Sequence, residues 1–214
     1  MNALVLFAKF PEPGRVKKCI GKAIGMENSA GLCRAFINDL IEENQDKDYD
    51  LYLSFIGHEH KEQYRSMFPN AILYVQRGSN LSDNLQFTFE DLLDDYEKVV
   101  VLSCDVPQLS SQTVVKAFNA LDSYEVVLGP AQDGGYYIIG MKKPQAIFEM
   151  MPWGTEDLLK AQMENLRKKG LPFVLLEKMY DVDTMEELRH LKETLTEGEA
   201  PRTFAFLHRP DIKI

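Results

Sequence analysis

The chain has 214 residues, 45% of them hydrophobic and 27% charged, with a formal net charge of −9. That length and composition suit a single ordinary globular domain and exclude a disordered or fibrous chain. The acidic balance disfavours nucleic-acid binding, and no apolar run approaches the roughly 20 residues that span a bilayer.

Residues 3–8 (ALVLFA) form a continuous apolar run with no basic segment before it, which predicts a buried first strand and not a signal peptide. The default location is then the cytoplasm. Pro11, Pro13 and Gly14 rule out helix in the next segment, so the first strand feeds a rigid loop. Around that loop lie Lys9, Arg15, Lys17, Lys18 and Lys22 with only Glu12 against them, a local reversal of the overall charge. Asn28 or Ser29 can cap a helix carrying Leu32, Phe36, Ile37, Leu40 and Ile41 at helical spacing.

Residues 50–57 predict a second strand, HEHKEQYRSMF a short amphipathic helix, and residues 71–76 a third strand. A helix follows over 83–95, with Leu85, Phe89, Leu92 and Leu93 on one face. Val99, Val100, Val101 and Leu102 read as a strand buried on both faces, ending in Ser103-Cys104-Asp105-Val106-Pro107. A helix over 110–121 and a strand over 125–129 come next. The strand over 134–141 follows too closely for a parallel crossover, so it runs antiparallel or at an edge. Helices over 144–150 and 155–169, a strand over 172–176 and a last helix from Thr184, whose Thr-Met-Glu-Glu spacing matches a capping box, complete the chain. Alternating strands and helices predict a mostly parallel sheet in one α/β domain over residues 1–214. Cys19, Cys33 and Cys104 have neither disulfide nor zinc spacing and are expected to be reduced.

Candidate chemistry collects at strand ends. A buried strand delivers Asp105 to its C-terminal edge, where it could ligate a metal or a ribose hydroxyl, or equally cap the helix that follows. The Pro13-Gly14 loop with Lys9, Arg15 and Lys17 suits nucleotide phosphates better than it suits a solvated basic turn, although it matches neither the Walker nor the G-x-G-x-x-G pattern. In Asp133-Gly134-Gly135-Tyr136-Tyr137 the glycines permit close backbone approach to a ligand, and the same letters form an Asp-Gly hairpin turn. The two tyrosines should face opposite sides of a strand. Asp181-Val182-Asp183 supplies a third acid, which could also simply favour the helix dipole. Three strand ends each offering a carboxylate suit a hard divalent cation. Trp153, the sole tryptophan, reads as a core or lid residue.

Taken in order, FAKFPEPGRVKK, Gln76-x-Gly78, SCDVPQL, LGPAQDGGYYIIG, PWGT, YDVDTMEEL and PRTFAFL resemble the glycosyltransferase-A-like proteins, in particular the branch named for association with arsenosugar biosynthesis and selenodomain proteins. The resemblance covers nearly the whole chain. It implies a three-layer nucleotide-diphospho-sugar transferase fold, with a mixed, mainly parallel seven-stranded sheet containing one antiparallel strand. It also implies Mg²⁺ or Mn²⁺ held by Asp105 and Asp183. Nucleotide or phosphate would be bound by Lys9, Pro13, Gly14, Arg15, Lys17, Gln76 and Gly78, and substrate lined by Gly134, Gly135, Tyr136 and Trp153. Asp133 would be the acceptor base. Departures from the family pattern are Ser103 in place of a glycine, Lys18-Cys19 in place of Thr-Arg, and Ser82-Asp83-Asn84 in place of Gly-Glu-Arg, with Arg15, Lys18 or Arg77 as replacements for the missing arginines. The expected activity is metal-dependent transfer of a sugar from a nucleoside diphosphate sugar to a small acceptor. The alternatives are nucleotidyl transfer from a nucleoside triphosphate, and nucleotide binding without turnover.

Overall fold

Alternation along the first apolar run decides the layout of the molecule. Strand β1 (Asn2–Ala8) sends Leu4 and Leu6 into one apolar cluster and Ala3 and Val5 into another, so it is buried on both faces. Strand β4 (Lys98–Ser103) lies parallel beside it and divides Val100 and Leu102 from Val99 and Val101 in the same way. The computed structural model describes residues Met1–Ile214.

The remaining strands are β2 (Asp50–Phe55), β3 (Ile72–Val75), β5 (Val126–Pro130), β6 (Tyr136–Met141) and β7 (Phe173–Leu175). They complete a seven-stranded sheet in the order β3-β2-β1-β4-β6-β5-β7. Only β6 is antiparallel to its neighbours, as its short connection to β5 requires. This is the α/β, mixed, mainly parallel architecture expected from the sequence.

Helices cover both faces. On one, α2 (Met26–Asn44), α3 (Lys61–Met67) and α5 (Ser111–Ala120) supply Ile37, Leu40, Tyr64, Val114 and Phe118. On the other, α4 (Leu81–Leu92) and α6 (Leu158–Lys168) supply Leu85, Phe89 and Leu166. Helix α2 is apolar on two sides. Its Leu32, Ala35 and Phe36 turn away from the sheet into a third cluster built with α1 (Lys18–Ile24), α7 (Met185–Thr194) and α8 (Pro201–Leu207). No helix is long and apolar enough to cross a membrane.

Three elements differ from the sequence expectation. Helices α1 and α8 are additional, each only two turns long. Residues 144–150 form no helix: Phe148 and Ile147 are buried one by one, and their carbonyls are met by side chains of other helices. Asn28 and Ser29 are not caps. They lie inside α2, which begins after Gly25, and bond back to Ile24 and Met26 carbonyls.

Candidate active site

The strand order reverses between β1 and β4, and in open α/β sheets ligands bind at the carboxyl ends of strands beside such a switch point. A cleft lies there. Its polar half, about 440 Å³, is lined by Lys9, Arg15 and Lys17 after β1, Gln76 and Gly78 after β3, Asp105 after β4, and Asp183 before α7. Its apolar half, about 240 Å³, is lined by Asp133, Gly135, Tyr136, Trp153 and Asp181 among aliphatic side chains. Phe7, Leu81 and Ser103 line both halves, so the two are one continuous cleft divided at the end of β4.

Lys17 is the centre of the polar half. Its Nζ lies 2.5 Å from Asp105 Oδ1 and 2.9 Å from Asp183 Oδ1, and donates to the Val182 carbonyl at 2.7 Å. These three oxygens match the three N–H groups of an ammonium. The side chain is only 4% exposed. Burial works against its charge, but the Asp105 and Asp183 carboxylates outweigh that penalty and hold Lys17 above its ordinary pKa. Val182 N–H also donates to the Asp105 carbonyl at 2.9 Å, so the ends of the β1, β4 and β7 segments are stitched at one point.

This geometry bears on the expected metal. Asp105 and Asp183 do converge, as a shared ion would require, but the point between them is filled by the Lys17 ammonium. With Lys17 there, the facing carboxylate oxygens are already taken, and no group of three or more His, Cys, Asp or Glu side chains elsewhere is arranged to hold a metal. The residues as placed therefore leave no room for Mg²⁺ or Mn²⁺ between the two carboxylates.

Several other expected residues have different employment from the one anticipated. Pro13 and Gly14 shape the loop, Gly14 at φ 75°, but line neither half of the cleft. Gly78 lines it, yet its N–H is donated to Asn84 Oδ1 at 2.7 Å and is not free for phosphate. A Cβ at Gly78 would come within 2.6 Å of the Asn84 backbone nitrogen, so glycine is required by close approach to the start of α4. Lys18 is exposed on α1 and lines neither half, while Arg77 is engaged by Asp91 at 2.7 Å and lies over the Phe87 ring. Neither stands in the cleft. Lys9 and Arg15 remain, Arg15 in an exposed pair with Glu12.

In the apolar half the Asp-Gly hairpin reading and the site reading hold together. Asp133 Oδ1 accepts from Gly135 N–H at 2.8 Å, which fixes the turn between β5 and β6 while leaving the carboxylate at the cleft. Gly134 has φ 91° and lies against the Glu156 backbone, so it shapes the turn without lining the apolar half. Tyr136 and Tyr137 face opposite sides of β6, the first toward the cleft and Trp153, the second into the α2 side of the core. Trp153 is held by its indole N–H donating to Ser82 Oγ at 2.7 Å, and Ser82 Oγ in turn donates to the Phe148 carbonyl.

Asp181 and Ser103 are polar cleft residues that had no role in the sequence expectation. Burial, followed by the nearby Asp133 charge, raises the Asp181 pKa to about 6. The signal was the Asp-Val-Asp spacing, in which both acids border the cleft while Val182 is buried beneath them. Ser103 Oγ accepts from Asp105 N–H at 3.2 Å, so Ser103, where the resemblance leads one to expect glycine, braces the turn bearing Asp105.

Comparison with known proteins agrees with this architecture. A solved structure from Desulfovibrio desulfuricans G20, named as a proposed nucleotide-diphospho-sugar transferase, is 29% identical, with TM-score 0.88 over 96% of this chain and 93% of that one. The 4-diphosphocytidyl-2C-methyl-D-erythritol synthase of Anaerococcus prevotii DSM 20548 shares the fold at 11% identity and TM-score 0.58, covering 98% and 96% of the two chains. Rv0371c of Mycobacterium tuberculosis H37Rv, solved in complex with manganese, does so at 16% identity and TM-score 0.52, covering 91% and 98%. No curated protein matches the chain. The family model described as "Uncharacterized protein conserved in bacteria (DUF2064)" matches residues 40–155, more than half of the sequence, and the chain belongs to that family, built on the nucleotide-diphospho-sugar transferase fold.

Proposed function

We propose that the protein transfers a glycosyl group from a nucleoside diphosphate sugar to a small acceptor. The observation that carries this reading is the two-part cleft. A polar half with the Lys9 and Arg15 side chains suits a diphosphate, and an apolar half with two carboxylates suits an acceptor whose hydroxyl must lose a proton. In the reaction the bond from the sugar carbon to the diphosphate oxygen breaks as the acceptor oxygen bonds to that carbon. Lys9 and Arg15 meet the charge that grows on the leaving diphosphate. Asp133, held by the Gly135 N–H, or Asp181, whose pKa is raised by burial, takes the acceptor proton. Trp153, Tyr136 and Leu81 favour an acceptor with an apolar face.

A thermal-shift panel of nucleoside diphosphates, triphosphates and nucleotide sugars tests the reading. One nucleoside diphosphate sugar class is expected to raise Tm, by about 3 kcal/mol of added stability at a hundredfold excess over Kd, and Arg15→Ala should reduce the shift. If no nucleotide moves Tm, the reading fails. The fold shared with the Anaerococcus synthase favours a second reading, nucleotidyl transfer from a triphosphate. Pyrophosphate in place of a nucleoside diphosphate among the products would select it.

A further inference from the structure

We infer that the Lys17 ammonium is the resident cation of this site, standing between Asp105 and Asp183 in place of a divalent metal. Two carboxylates aimed at one point repel unless a positive charge lies between them, and here the chain supplies that charge itself. The position is built into the fold. Lys17 directly precedes α1 with φ 45° and ψ 45°, a left-handed conformation unfavourable for a side chain of its size and kept only where the surroundings enforce it. The stem runs past the Phe36 ring, 5.7 Å from Nζ, and the ammonium ends on oxygens from two separate segments, one of them the Val182 backbone carbonyl. A hard divalent ion placed between the two carboxylates would meet oxygens already paired with Lys17 and sit against a fixed positive charge, which repels it strongly at short range. The site should consequently bind divalent metals poorly, and phosphate recognition should not depend on them.

Mn²⁺ titration of the ligand-free protein, followed by electron paramagnetic resonance, tests this directly. The wild type is expected to show no site tighter than about 1 mM. Lys17→Met keeps the apolar stem and removes the charge, and should bind one Mn²⁺ at least about tenfold more tightly. Adding Asp105→Asn to that variant should abolish the gain. Micromolar binding of one Mn²⁺ by the wild type, lost in Asp105→Asn, overturns the inference, and this comparison decides even if Lys17→Met fails to fold. Calorimetry of the best-binding nucleotide forms a second arm, the only one resting on the transferase reading. Affinity in EDTA and in Mn²⁺ should agree within about twofold, and tightening by about tenfold in Mn²⁺ overturns the inference. Should no nucleotide bind, the transferase reading fails while the Mn²⁺ titration still decides the role of Lys17.

Discussion

Asp181 is a cleft carboxyl whose burial makes ionisation costly. It is half-buried, faces Asp133, and has its pKa raised to about 6 against an ordinary value near 3.8. A carboxyl that holds its proton more tightly when folded favours the folded state below pH about 4, and that contribution is lost as pH rises through about 6. Asp181→Asn cannot ionise, so its Tm should match the wild type near pH 4 and exceed it at pH 7.5. The gain should be of order 1–2 kcal/mol after allowance for solvent screening at this partly open position. An equal Tm difference at both pH values would show that Asp181 is not strained by its charge. Side chains such as this one mark what could be read from letters alone. That Asp105, Asp183 and the basic loop border one cleft follows from strand ends. That Lys17 rather than an ion joins them depends on a left-handed backbone at one residue, and no spacing encodes that.

Elements with local signals form where expected. Thr184 and Glu187 make the full capping box at the start of α7, and the short link before β6 enforces its antiparallel course. Residues 144–150 show the opposite case, local apolar spacing overruled by tertiary partners. The Ile147 carbonyl accepts from Gln162 Nε2 at 3.1 Å and Asn165 Nδ2 at 2.9 Å, both on α6, and the Phe148 carbonyl accepts from Ser82 at the start of α4. Side chains thus satisfy groups that a helix would have paired internally. Gln162 is fully buried and its Oε1 also accepts from the Tyr136 hydroxyl, so it ties this loop to the floor of the apolar half-cleft. Gln162→Leu preserves bulk but leaves the Tyr136 hydroxyl without that acceptor. It should cost about 1–3 kcal/mol in urea unfolding, whereas Asn165→Ala, at the same carbonyl but half-buried, should cost less. If the two variants are equally mild, the loop is held by the burial of Ile147 and Phe148 alone.

Across the whole molecule, α2 is the member that joins the central sheet to the C-terminal helices. One side packs on the sheet beneath the cleft and the other holds α1, α7 and α8, with the third apolar cluster between them. Val182 belongs to that cluster, so the segment carrying Asp181 and Asp183 is anchored from behind by the C-terminal layer. The layer itself is fastened to α2 by a buried acid. Asp39 accepts the Arg202 N–H at 2.9 Å and the Thr203 N–H at 2.7 Å, serving from across the structure as the cap that Ala200 cannot provide for α8. No residue of α8 lines the cleft. Asp39→Ala strands two backbone donors at the start of α8 and should lower stability by about 1–3 kcal/mol. Hydrogen exchange should quicken first in α8 and then in α7, because both share one apolar cluster. The β1 and β4 amides should keep their protection, since their contacts lie on the far side of α2. Uniform acceleration over the sheet and the C-terminal helices would instead mean that the layers unfold as one unit, and that the acids of the cleft owe their placement to the whole fold and not to the docking of its last helices.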